Sequence, residues 1–348
     1  TLTFRAEDQE VAKTVDLKAS IRDLHPQTLV PGFPQLAALK SFDLPVSGDI
    51  TIAMTASGDI LSADLDLAVA RGRFILPAKD AKPLQIDAGR MLFAYDANNG
   101  VIELKPSVLR AGDSSLQVIG NMTSNTTETG KHQWPFEIKA TGGWLGLRKV
   151  TEAPIQLGAW HAKGRVLPDD GTLNIDDFTV QAGGGRVEAK GVFDVAAAEP
   201  SSQITGRFSA MPLRTFKAMW PKSLASDAWE WVDDQVQEGR LTSGQFSFYE
   251  GRYFKDQQPG TNAQNERLSV AMEFADITFE PIPKMSPIVA PRALLRLEND
   301  SLEIVAPEAE MVVAGGEKLS LKGGRFTAVQ LDAPVPSGEV VFTGRGEL

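Results

Sequence analysis

The side chains that most often carry chemistry are few and scattered in this chain of 348 residues. Its 3 histidines, His25, His132 and His161, stand far apart, and none has a second metal-ligand type at helical spacing. Cysteine is absent, which removes disulfide frameworks, thiolate zinc sites, iron–sulfur clusters and cysteine nucleophiles together. The acid pairs Asp169-Asp170, Asp176-Asp177 and Asp233-Asp234 have the residue type of a glycosidase, which sets two carboxylates across a cleft. The first pair, however, precedes a glycine turn, the second falls at a strand end and the third lies on a helix surface. Solvated structural roles are expected for all of them. Gly183-Gly184-Gly185 has the composition of a phosphate cradle but sits between two strand patterns, where a hairpin turn is expected. HExxH, GxSxG, GxxxxGK and a GxGxxG that opens a helix are all missing. The residues point away from an enzyme, and no catalytic set, metal or cofactor is expected.

Apolar side chains at period two are abundant instead. Ile50, Ile52 and Met54 alternate with polar or small residues, and Leu61, Ala63, Leu65, Leu67 and Val69 do so with Asp64 and Asp66 between them. The same pattern recurs at Met91-Phe93-Tyr95, Trp134-Phe136-Ile138, Val270-Met272-Phe274 and Leu319-Leu321. That spacing places every second side chain on one face of a strand and leaves the other face polar, as in antiparallel sheets. Turn signals punctuate the strands at Ser57-Gly58-Asp59, Asn98-Asn99-Gly100, Asp169-Asp170-Gly171, Glu298-Asn299-Asp300 and Gly315-Gly316-Glu317. Val101–Gly120 lies on Thr172–Gly191 without gaps, a weak repeat of strand, glycine turn and strand, and Ser301–Gly323 repeats the outline. Repeated hairpins that meet mainly their neighbours build extended structures. Phe279–Pro291 carries four prolines and is expected to be a stiff connection, since each proline removes a ladder donor.

One segment breaks the alternation. Between Met211 and Glu238 the period becomes helical. Pro212 opens a first short helix with Leu213, Phe216 and Trp220 on one side. Ser226 is placed to cap a second, with Ala228, Trp231, Val232 and Val236 as its apolar stripe and Gly239 as its stop. Trp220, Trp229 and Trp231, three of the 6 tryptophans, fall here and are expected to pin the helices to the sheet.

Composition narrows the partners. The formal net charge of -10 argues against nucleic acid and against adsorption to anionic headgroups, both of which need a basic face. No stretch approaches the roughly 20 apolar residues of a membrane-spanning helix. The start, Thr1-Leu2-Thr3-Phe4-Arg5, shows neither initiator Met nor signal-peptide pattern, so any anchor or targeting segment is expected to lie outside the chain.

At the helical segment the chain resembles a known family. Gly206-Arg-Phe-Ser-Ala-Met-Pro-Leu-Arg-Thr-Phe-Lys-Ala-Met-Trp220-Pro221, followed by Ala228-Trp229-Glu-Trp-Val-Asp-Asp-Gln-Val-Gln-Glu-Gly239-Arg-Leu, is similar to AsmA-like proteins of the YhdP and TamB type. Phe274–Pro291 with Leu302-Glu-Ile-Val resembles the segment that follows there. The likeness is clearest over residues 204–325. It implies a periplasmic segment of a protein anchored in the inner membrane, with a long curled β-groove that passes phospholipids toward the outer membrane. It implies no catalytic residue.

The expected fold is all-β: an elongated, curled, mostly antiparallel sheet forming a hydrophobic groove, with a small two-helix insert. Residues 1–205 would form N-terminal hairpin repeats, 206–240 the insert and 241–348 the C-terminal part of the same groove. Phospholipid acyl chains would lie on Ile50, Ile52, Met54, Leu61, Leu65, Leu67, Val69, Met91, Phe93, Ile102, Leu104, Leu116, Val118, Leu173, Ile175 and Val187. The row would continue through Phe246, Phe248, Val270, Met272, Phe274, Leu295, Leu297, Leu302 and Ile304, with Phe216, Trp220, Trp229 and Trp231 as a helical cap. Alternation alone, without the resemblance, favours an ordinary core. A rival reading is a scaffold that pairs its free strand edges with outer-membrane proteins. A third is a carbohydrate-active fold built on the acid pairs.

Overall fold

The computed structural model describes residues 2–9, 14–32, 39–75, 83–146, 154–194, 196, 201–220, 226–251, 266–280, 285–299, 301–312, 317–329 and 337–345. Most of these are strands of one large antiparallel sheet, and a second sheet has three short strands. The strands Leu2–Gln9 and Ser337–Arg345 each pair on one side only among the described residues, so the large sheet is not closed. The chain divides into two compact units, residues 1–180 with 190–201 and residues 181–189 with 202–348.

In the first unit, hairpins follow one another along the chain, and the turns fall where the sequence placed them. Gly58, Gly100 and Gly171 all have φ between +60° and +95°, which costs a glycine little and a Cβ-bearing residue much. The register lines up apolar residues across the strands. One row runs Ala19, Ile50, Leu65, Phe93, Leu104, Gly120, Ile138 and Ala162. The next runs Leu17, Ile52, Ala63, Tyr95, Ile102, Met122, Phe136 and Gly164. Glycines in these rows let a neighbour lie close. A Cβ on Gly164 would stand 3.0 Å from the Phe136 ring and 2.0 Å from the Asn174 carbonyl oxygen.

In the second unit two helices lie on the sheet, α1 (Leu213–Met219) and α2 (Ser226–Gln235). Pro212 precedes α1, where its missing N–H costs nothing. Helix α2 runs straight into the strand Val236–Glu250, so Val236 and Gly239 belong to the strand rather than to the helix end expected from sequence. The Lys217 ammonium of α1 donates to the carbonyls of Asp233 at 2.9 Å and Val236 at 2.6 Å. A cation thus sits at the negative end of the α2 dipole and satisfies carbonyls the helix leaves open.

Three local expectations are corrected. Phe279–Pro291 is not one connection, because Ile288–Pro291 already belongs to the strand Ile288–Glu298. Pro291 is tolerated where the ladder breaks. It lies between the pairs Ile277–Ala290 and Ala275–Arg292, opposite Asp276 at φ +50°, while pairing to the following strand skips from Val289 to Leu294. Asp176-Asp177 sits within the strand Thr172–Ala182, not at its end. Asp233 is turned toward α1, its carboxylate 3.8 Å from the Lys217 ammonium, and its side chain is only 13% exposed. The turn at Gly315-Gly316 lies outside the described residues.

Candidate functional site

The two faces of the first unit's sheet differ in kind. The polar face carries ion pairs in the open. Arg90 Nε donates to Asp66 at 2.8 Å, and Lys105 Nζ to Asp64 at 2.7 Å. The guanidinium beside Asp66 holds its carboxyl below the usual carboxylate range. His132, His161 and His25 each face an aspartate, Asp169, Asp177 and Asp43 respectively. Among the described residues no three His or carboxylate groups come together as metal ligands would. The acid pairs therefore serve as partners for neighbouring cations on this face: Asp170 for Lys131, Asp176 for Arg165.

The other face is apolar and partly uncovered. Ile50, Ile52, Met54, Leu61, Leu65, Leu67, Met91, Phe93, Ile102 and Leu116 are all half-buried, as are Leu173 and Ile175 on a later strand. Val69, Leu104 and Val118 are buried. One end of this face is closed. There Leu44, Val46, Val69 and Ile86 form a cluster that Phe74, Met91 and Leu109 pack against, built with the three-stranded sheet Phe42–Asp43, Gly72–Phe74 and Leu84–Ile86. Ser107, buried on this face, is satisfied: it accepts the Leu92 amide at 2.9 Å and donates to the Lys105 carbonyl at 2.7 Å. Its hydroxyl fills the register break beside Pro106, which lacks a donor.

The candidates in the second unit are packed instead. Phe248, Val270, Met272, Phe274, Leu295, Leu297, Leu302 and Ile304 are all buried, as is Val187, whereas Phe246 is half-buried. The helices cover this face. Phe216 meets Phe274 edge-on at 6.3 Å and Phe208 at 5.3 Å, and Trp231 stacks on Phe326 at 6.0 Å. Trp229 is buried on the covering side of α2 with Val232. Trp220, Trp231 and Val232 close over Met272, Leu295, Leu297 and Leu302 with only a small apolar crevice between them. The expectation of one groove lined by all the rows is therefore corrected: the rows from Phe248 to Ile304 form a core beneath a helical layer.

Sequence reasoning omitted several residues from the candidate face. Leu17 and Tyr95 stand in register with Ile52 and Ile102, and Met122 and Phe136 extend the row. The alternation Val15-Leu17-Ala19-Ile21 was readable, but its short apolar run carried no aromatic to mark it. No helix among the described residues is long and apolar enough to cross a membrane.

No protein family, curated protein or solved structure matches this chain in the comparisons made.

Proposed function

We propose that this chain is a lipid-transfer segment in which the apolar face of the first unit holds phospholipid acyl chains while headgroups stay in water. The observation that supports it is the contrast between units. Alternating rows of the same composition are sealed beneath helices in the second unit and stand mostly half-buried across consecutive strands in the first, where Val69, Leu104 and Val118 are the buried exceptions among the candidates. Apolar rows left part-exposed side by side on several strands are the kind of surface that binding sites use.

The energies are commensurate. A chain of ~16 carbons leaving a bilayer forfeits about 13 kcal/mol at ~0.8 kcal/mol per CH2. About a dozen half-buried side chains that each shed on the order of 40 Å² of water contact return roughly 12 kcal/mol at ~25 cal/mol per Å². A lipid can then move along such a face without being trapped. The charged side chains Asp64, Asp66, Arg90 and Lys105 all belong to the opposite face and are paired there, so these charges do not interrupt the path. The periplasmic setting, the inner-membrane anchor and the delivery of phospholipid toward the outer membrane complete this reading, and they rest on the likeness to AsmA-like proteins. The polar face, studded with ion pairs, suits a wet compartment, and the acidic balance keeps the segment off anionic headgroups.

Lipid extraction and mass spectrometry of the purified chain test the proposal. The parent should carry phospholipid, and Leu65→Asp should fold yet lose most of it, because the carboxylate lies in the middle of the row between Ile50 and Phe93. A lipid-free parent, or a folded Leu65→Asp chain that carries as much as the parent, would sink the idea.

A further inference from the structure

Two rings on the apolar face of the first unit carry polar tips that find no partner among the described residues. Tyr95 stands on that face in register with Ala63 and Ile102, two residues before the turn at 97–100, and is half-buried. Its hydroxyl makes no hydrogen bond to any described residue. Trp134 lies on the same face, in register with Val166 and two residues before Phe136, and its indole N–H is likewise unmatched. A phenylalanine would fill such a row as well, as Phe136 does opposite Met122. Both rings sit at the margin where the strands turn, and rings of this kind suit a boundary between hydrocarbon and water. The other margin is closed: Met91, on the same strand as Tyr95, packs against the cluster of Leu44, Val46, Val69 and Ile86.

The distances match a lipid. At ~3.3 Å per residue the face runs about 13 Å from Tyr95 to Met91 and about 20 Å to Gly89, which lies opposite Val69. One leaflet's share of a hydrocarbon core of roughly 30 Å is ~15 Å. Resting on the lipid reading above, we propose that the acyl chains run along the strands with their methyl ends toward the Leu44 cluster, and that the Tyr95 hydroxyl donates a hydrogen bond to the ester carbonyl at the head of a chain. Once hydrocarbon covers the ring, the hydroxyl loses water and needs an acceptor, and the carbonyl at that depth supplies one. The phosphate and headgroup then stay in water beyond the turns. Reversed, the lipid would press its headgroup into an apolar cluster. The apolar rows supply most of the grip, and Tyr95 sets the level at which the lipid lies.

The test offers the full chain vesicles that hold equal amounts of diester phosphatidylcholine and its diether analogue of the same chain length. The chain is then re-isolated, and its bound lipid is counted by mass spectrometry. The parent should hold the diester about 2- to 10-fold over the diether, the worth of one hydrogen bond. Tyr95→Phe should fold, still carry phospholipid and lose that preference, whereas a loss of packing alone would lower both lipids equally. Trp134 fluorescence, read as the difference between the parent and a Trp134→Phe chain, gives the orientation. It should be quenched more by a phospholipid brominated near the ester end of its chains than by one brominated near the methyl end. A parent that binds both lipids without preference, a Tyr95→Phe chain that keeps the preference, or stronger quenching from the methyl end would overturn this placement and leave the lipid reading standing. A parent that carries neither lipid would overturn both.

Discussion

Gly164 shows how one residue can set the surface of a sheet. It stands in the apolar row beside Phe136, and the ring fills the space a side chain would need. Substituting alanine drives a methyl carbon toward the Asn174 carbonyl, which is backbone and cannot rotate away. Gly164→Ala should therefore lower stability by about 1–3 kcal/mol, read as a lower urea midpoint with an unchanged slope. The carboxylates make a second residue-scale prediction. Asp43 is held low by the Arg73 hydrogen bond, Asp66 by Arg90, Glu137 by Lys139 and Asp169 by the His132 amide. A carboxyl depressed in the folded state contributes stability above its unfolded-state value and loses it as pH falls through the folded one. The melting temperature should thus hold from neutrality down to about pH 5 and then decline as these groups protonate. Because Asp66, Glu137 and Asp169 keep much of their side chains in water and only Asp43 is largely covered, the decline should be gentle, and Asp66→Asn should make it gentler still.

The helices carry the clearest lesson at the scale of elements. Helix α1 has 7 residues and α2 has 10, too short to hold together alone in water, so their packing on the sheet must stabilise them. Phe216 is the keystone of that packing, 1% exposed and in contact with Phe208, Trp220 and Phe274. Phe216→Ala should cost about 3–5 kcal/mol by thermal or denaturant melting. The cost should come with brighter dye binding, because the sheet beneath loses its cover. Mutations on the part-exposed face of the first unit, such as Leu65→Asp, should cost less, since that side chain already meets water in part. A reversal of that order would show that the two faces are covered alike.

Across the whole molecule, the functional reading depends on where cover is present and where it is missing. The helical layer lies within the unit of residues 181–189 and 202–348, and it converts that unit's alternating rows into a core. In the first unit a cluster around Leu44 and Ile86 closes one end of the apolar face, and Leu104, Val118 and Ala162 are buried farther along it, while the residues between them stand half-buried. If lipid is bound, a brominated phospholipid should perturb the first unit's aromatic side chains and leave the second unit's buried tryptophan, Trp229, untouched. Measured tryptophan quenching in Trp229→Phe and parent chains would read this directly, and quenching dominated by Trp229 would contradict it.

Much of the architecture was legible in the residues. Period-two alternation depends only on local chain geometry, so strands, turns such as Gly183-Gly184 and the helical segment around Phe216 and Trp229 could be placed without knowing their neighbours. The boundary of α2 could not, because Val236 fits a helical stripe and a strand equally well and only the partner Phe279 across the ladder decides between them. The same holds for Pro291, whose missing donor is harmless solely because the adjoining pairing is broken there. Above all, Ile50-Ile52-Met54 and Val270-Met272-Phe274 read alike, yet one row is half-open and the other sealed. Alternation fixes which side of a strand is greasy, while what lies over that side comes from residues distant in the chain, and that was decided by tertiary packing alone.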